Sequence, residues 1–342
     1  MQRTYLFQEE IGNGSTSVVY HALDEKTFLN VAIKKIPKEY FEKNQDELKR
    51  FQEEVSLLRR FSSSPHPHLL SLLDMYEDDK YYFLVTDFCR EGDLFNYIVK
   101  NGAIKEQLAS HILHQILQGL NLCHQNNVVH RDMKLENIFI TNFPNVIIGD
   151  FGLAEEVNPN ELLQSYCGST IYSAPELLRK EPYNGFKSDI YSVGVILFCM
   201  VTGNFPWNPD NPMKMIHNIT NGNFNIPPSL SPKCRSLISQ MMNIDPDQRP
   251  NISQILNHPF LLQQNTQCLP YLYSPIPHIH SDKKVNFSHA FLPNHKIESE
   301  KSYNHLNVHP PRRVINPVLC HNNPRNVGLS LRSNKSYTYL HP

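Results

Sequence analysis

The sequence predicts an α+β fold in two unequal parts, followed by an extension of different character. Three observations predict it. Short apolar stretches of strand character fill most of the first 85 or so residues. Apolar spacing of three and four dominates the next 170 or so. Near position 260 the composition changes: residues 261–342 carry a charge of +6, while residues 1–260 carry -7.

In the first part, Val18-Val19-Tyr20, Val31-Ala32-Ile33 and Tyr81-Tyr82-Phe83-Leu84-Val85 read as strands. One helix interrupts them over Asp46 to Phe61, where Leu48, Phe51, Val55 and Leu58 share a face, with Asn44 as its cap. After Asp93 the pattern turns helical. Leu108 to Cys123 has an apolar face at 108, 112, 113, 116, 117 and 120. Asp189 to Thr202 is apolar almost all round, as a buried core helix is. The helical signal ends at His258-Pro259-Phe260.

The 342 residues correspond to about two domains and can bury a core without disulfide staples. The overall net charge of -1 argues against a dedicated nucleic-acid binder. The apolar run 193–201 is too short to span a bilayer. No signal peptide, myristoylation glycine or prenylation box is evident, so no membrane partner is expected. Seven scattered cysteines without a CxxC fit reduced thiols, hence the cytoplasm, with the nucleus also open.

Residues 11–19 read Ile11-Gly12-Asn13-Gly14-Ser15-Thr16-Ser17-Val18-Val19. Two readings fit: a glycine hairpin between strands, or a loop whose N–H groups approach phosphate oxygens. A strand, not a helix, follows, which excludes a dinucleotide fingerprint. Lys34 ends Val31-Ala32-Ile33-Lys34 and can either pair with phosphates or face solvent beside Lys35. Glu54 borders the apolar face of the next helix, within the class of acids that hold such a lysine and the larger class that is merely solvated.

Residues 130–139 read His130-Arg131-Asp132-Met133-Lys134-Leu135-Glu136-Asn137-Ile138-Phe139. Asp150-Phe151-Gly152 and Ala174-Pro175-Glu176 follow. In order and spacing, these elements resemble the protein kinase motif set over about residues 5–260. The resemblance is to eukaryotic Ser/Thr protein kinases, since Lys134 occupies the position those enzymes use. The Cys167-Gly168-Ser169 segment and the Gly203–Trp207 loop resemble the calmodulin-dependent/AMP-activated kinase-like group. The chain is also similar to small fungal kinases of meiosis and nutrient control.

The resemblance implies a two-lobed kinase fold: a β-rich lobe over 5–86, a hinge over 87–90 and a helical lobe over 91–260. It implies ATP and Mg²⁺ as cofactors and protein Ser/Thr hydroxyls as substrate. Asp132 would accept the hydroxyl proton, Lys134 would steady the γ-phosphate, and Asn137 and Asp150 would hold Mg²⁺. Lys34, paired with Glu54, would bind the α/β-phosphates under the loop 11–18. Val19, Ala32 and Phe139 would sandwich the adenine. Thr86 would be the gatekeeper before Asp87, Phe88 and Cys89, and Asp93 would reach ribose or substrate. Leu58, Leu72, His130 and Phe151 would stack on Asp189, and Glu176 would pair with Arg249. A nucleotide-binding pseudokinase scaffold is the alternative, although no catalytic position is lost. Ser17 stands where the third loop glycine is usual, so the loop would close less freely, and Leu135 and Thr170 stand where prolines are usual, peripheral to the chemistry.

Arg131 beside Asp132 implies control through the segment 153–173, with Ser165 as the phosphosite candidate and an upstream kinase as a partner. An ordinary loop serine is the other reading of Ser165. Glu155, Glu156 and Glu161 add charge that partly substitutes for a phosphate. Glu136 and Asp93 match acids that receive an arginine three residues before the phosphoacceptor, and Cys199 replaces a second acid. The expected assembly is a monomer. The Asn/His/Pro-rich stretch 261–342 reads as mostly disordered, either docking on the acidic part or solvated. Its His278-Ile279-His280 is a weak metal signal and Arg312-Arg313 too short a nuclear one.

Overall fold

The computed structural model describes residues 4–262 apart from 15, 43 and 159. Ser15 and the expected disorder of the extension, with its histidine and arginine pairs, lie outside the described residues.

Five strands form one antiparallel sheet: β1 (Tyr5–Asn13), β2 (Val18–Asp24), β3 (Asn30–Pro37), β4 (Leu72–Glu77) and β5 (Tyr81–Asp87), in spatial order β1-β2-β3-β5-β4. Alternation gives each face its own core. Val31 and Ile33 join Ala22, Phe83 and Val85 on one face, while Ile36 and Leu84 join the main core. Asp87, expected in the hinge, is still paired in β5, opposite Val31.

Between β3 and β4 run α1 (Lys38–Glu42) and α2 (Gln45–Ser62). The apolar face expected for α2 is buried through Phe51, Val55, Leu58 and Phe61. Asn44 sits at its N-cap but makes no capping bond, because its amide donates to the Tyr40 carbonyl at 3.0 Å.

The helical lobe follows with α3 (Leu94–Asn101), α4 (Glu106–Gln125), β6 (Val128–Val129), β7 (Ile138–Asn142), β8 (Asn145–Ile148) and β9 (Glu155–Glu156). Then come α5 (Pro175–Leu178), α6 (Gly185–Thr202), α7 (Pro212–Thr220), α8 (Pro232–Met241), α9 (Ile252–Leu256) and α10 (Pro259–Leu262). The Asn184 side chain caps α6 at Lys187 N, and Gly203 ends it with φ +69°, a conformation that favours glycine. By length and composition α6 could cross a membrane, but 83% of it is buried inside this protein. In α10, Phe260 and Leu261 are buried, so the packed part runs slightly past position 260.

Candidate active site

The glycine segment is a hairpin joining β1 to β2. Ile11, Gly12 and Asn13 end β1, and the Gly14 N–H donates to the Ser17 carbonyl at 2.8 Å. Thr16 and Ser17 complete the turn, and Val18 and Val19 begin β2, with Val19 opposite Lys34. The glycine-hairpin reading therefore describes this segment.

Lys34 and Lys35 point to opposite faces of β3. Lys35 lies 3.9 Å from the centre of the Tyr81 ring. Lys34 turns inward, its Nζ 3.5 Å from Glu54 Oε1 on α2. Glu54 raises the pKa of Lys34 against the cost of burial, with Asp150 adding to the effect, so the lysine is firmly charged. Ala32 lies opposite Thr86 on β5. Asp87 accepts from the Ser71 backbone at 3.0 Å, and burial pushes the Cys89 thiol up to about 12, so that cysteine is inert. Phe139 on β7 bridges Asp93, whose carboxylate caps α3 at Asn96 N, 2.7 Å away.

On the helical side the chain reverses sharply at Arg131, with φ 64°. Asp189 at the start of α6 holds that reversal. Its carboxylate accepts from the backbone N–H of His130 and of Arg131, both at 2.9 Å, and from the His124 ring at 2.9 Å. The His130 ring lies 5.1 Å from that of Phe151, and Leu58 and Leu72 are buried in the same core.

Asp132 is buried at the centre of a hydrogen-bond network. Its Oδ1 accepts from Ser169 N and Ser169 Oγ, both at 3.1 Å. Its Oδ2 accepts from Lys134 Nζ at 2.5 Å and Asn137 Nδ2 at 3.3 Å. Burial opposes the charge on Lys134, but Asp132, Asp150 and Glu136 outweigh it and push its pKa up. Asn137 also donates to the Asp132 carbonyl at 2.9 Å, which leaves its amide oxygen as the atom for a cation. Asp150 follows β8 with φ 60°. Burial works against its ionised form, yet Lys34, Lys134 and His130 hold its pKa below the usual range. An ionised carboxylate and an amide oxygen are the hard donors that Mg²⁺ takes.

Arg131 reaches the segment that follows Asp150. It donates to the Leu153 carbonyl at 2.8 Å, to Ser165 Oγ at 2.7 Å, and to the Glu155 carboxylate. Of the three acids expected near Ser165, only Glu155 meets Arg131. Glu156 pairs with Arg60 at 2.9 Å, and Glu161 accepts from Asn158. Glu176 and Arg249 form the expected buried pair through two bonds of 2.7 Å. Among the described residues Cys89, Cys123, Cys167, Cys199 and Cys234 are free thiols.

Two residues escaped the sequence reading. The Tyr172 hydroxyl donates to Glu136 Oε2 at 3.0 Å, and His124 supports Asp189. The Tyr172 signal was a tyrosine in a loop; His124 was one basic residue in the last turn of a helix. Neither announces its partner.

Residues 5–261 match the protein kinase domain family. The chain is 36% identical over 262 residues to "Probable serine/threonine-protein kinase MARK-A" of Dictyostelium discoideum, covering 75% of this chain and 24% of that protein. It is 35% identical over 269 residues to "Probable serine/threonine-protein kinase KCC4" of Saccharomyces cerevisiae, covering 75% and 26%. It is 35% identical over 259 residues to mouse "Sperm motility kinase 3A", covering 76% and 50%. The chain thus spans between a quarter and a half of the length of these relatives. With the Asp132 network, the Asp150 turn and the Lys34–Glu54 pair all present, the chain belongs to the protein kinase family and groups with its serine/threonine kinases.

Proposed function

We propose that the chain transfers the γ-phosphate of ATP to serine and threonine hydroxyls of protein substrates, with Mg²⁺. The observation that carries this is the four-donor network around Asp132, with Asp150 held ionised by Lys34 and by Lys134 of that network. The network fixes the Asp132 carboxylate before substrate arrives, which is how positioning contributes to rate. Asp132 accepts the proton of the substrate hydroxyl as that oxygen bonds to phosphorus and the bond to the ADP oxygen breaks. Lys134, held charged beside it, offsets charge on the transferring group. Lys34, oriented by Glu54, binds the inner phosphates. Asp150 and the Asn137 amide oxygen would hold Mg²⁺, which supplies neutralisation of phosphate charge when bound. The hairpin 11–18 covers the phosphates, and Val19, Ala32 and Phe139 enclose the base beside Thr86, Asp87 and Cys89.

The test is Asp132→Asn in the full chain, with phosphate transfer to a Ser/Thr peptide library and ATP binding measured separately. The variant is expected to lose at least about 10²-fold in kcat and keep ATP affinity. A wild-type protein that binds ATP without transferring phosphate would establish the scaffold alternative instead.

A further inference from the structure

Gly149, the residue before Asp150, is buried, and its φ is not positive, so the chain there could be built from any residue. What glycine supplies at this position is space. A Cβ on it would stand 2.7 Å from Phe139 Cε2 and 3.0 Å from Phe139 Cδ2, with Leu70 Cδ2 at 3.2 Å. Carbon atoms in favourable contact sit about 3.5–4.0 Å apart. One edge of the Phe139 ring therefore occupies the place where any other residue would carry its first side-chain carbon.

Both backbones at this contact are tied down. The Gly149 N–H donates to the Asn137 carbonyl at 2.9 Å, and the Gly149 carbonyl accepts from His130 Nε2 at 3.2 Å. Both partners lie in the segment 130–139 that carries Asp132. Phe139 is paired with Ile147 on β8 and bridged to Asp93, and the Ile140 N–H beside it donates to the Gly92 carbonyl at 2.8 Å. What can yield is the Phe139 ring, which is partly exposed and turns about two side-chain bonds.

The contact also has a telling place in the chain. Phe139 comes two residues after Asn137, and Gly149 comes one residue before Asp150, so each side adjoins a candidate cation ligand. An aromatic ring offers a base a flat apolar face on which to stack, and stacking depends on where that face lies. Here its position is set by a residue that has no side chain of its own to offer a ligand.

We propose that Gly149 is a positioning residue for nucleobase recognition: by leaving its Cβ position empty it seats the Phe139 ring, and the seated ring is the platform on which a purine base rests. The inference rests on the reading of Phe139 as part of the nucleotide site and adds the residue that places it. A side chain at 149 drives the ring off its seat. The cost falls on the base, while the groups that hold phosphate keep their places.

The test measures binding of ATP, of adenosine and of inorganic triphosphate, each with Mg²⁺, to the full chain. Gly149→Ala is expected to weaken adenosine and ATP alike by at least about fivefold, as overpacking does, and to leave triphosphate unchanged. The KM for ATP should rise by the same factor, with kcat changed less. Leucine has no ε carbon, so in a Phe139→Leu background Gly149→Ala should cost no adenosine affinity; that non-additivity is the signature of the contact. Should Gly149→Ala alone fail to fold, the comparison is Phe139→Leu with and without it. Adenosine affinity held or regained there supports the platform, and a further loss of at least about fivefold overturns it. Equal adenosine binding by wild type and Gly149→Ala would overturn the inference and leave the nucleotide reading standing. So would adenosine and triphosphate falling together, since the backbone that carries Asp150 would then be what moved. A wild type that binds neither ATP nor adenosine would overturn the nucleotide reading and this inference with it.

Discussion

Arg131 donates a 2.7 Å hydrogen bond to the hydroxyl of Ser165. The same guanidinium holds the Glu155 carboxylate and the Leu153 carbonyl, so a charged acceptor already occupies part of it. A phosphate on Ser165 adds charge at a donor that is in place, and it enters competition with Glu155. Ser165→Ala is expected to lower kcat/KM about tenfold or more against the phosphorylated wild type. Against phosphatase-treated wild type it is expected to make little difference. Equal rates for the variant and the phosphorylated enzyme would show that Glu155 alone orders the segment.

Lys34 and Glu54 lie on different elements, β3 and α2, and their 3.5 Å contact reports where α2 sits. Glu54→Gln keeps the shape and removes the charge that holds Lys34 in position. Since hydrogen bonds to charged groups contribute roughly 1.5–3 kcal/mol, kcat/KM for ATP should fall about tenfold or more. Steady-state kinetics with ATP varied at saturating peptide measures it. The melting temperature should change little, because burial itself opposes ionisation of Glu54 and the Lys34 side chain is 33% exposed.

Arg249 and Glu176 are 1% and 3% exposed, and their two bonds close a fork between the helical lobe's base and α5. Arg249 also donates to the Asn243 and Lys187 carbonyls, so Glu176→Gln leaves a buried cation with one partner weakened. Breaking such a pair costs about 3–5 kcal/mol. Urea unfolding of the full chain should show that loss, with KM for ATP unaffected in the protein that remains folded.

The motif segments that carry the candidate site were legible because local sequence fixes their spacing. His130 through Asn137 and Asp150 through Gly152 are short segments whose backbone reversals at Arg131 and Asp150 bring the side chains together. The strands and α2 were legible from periodicity, since alternation on β3 separates Lys34 from Lys35. What stayed hidden depends on contacts between distant segments. Tyr172 finds Glu136 only because its 3-10 turn packs on the catalytic loop, and no spacing rule links the two. Asn44 carried a cap signal, but its amide preferred the Tyr40 carbonyl one turn back, which a sequence rule does not weigh.

Burial shapes the charge state of Glu136. Burial is the larger influence on its carboxyl, and despite Lys134 and the Tyr172 hydroxyl its pKa is pushed up to about 7. Cys199, buried nearby, offers no second negative charge, because burial pushes its thiol well above the usual range. An arginine three residues before the acceptor would therefore meet a carboxylate that is ionised above about pH 7 and protonated below it. The sign follows: preference for that arginine rises with pH and fades in acid. The kcat/KM ratio of arginine to alanine peptides should be several-fold larger at about pH 8 than at about pH 6. Glu136→Gln should hold the ratio near its acidic value throughout. A ratio independent of pH in wild type would remove Glu136 from the recognition of that residue.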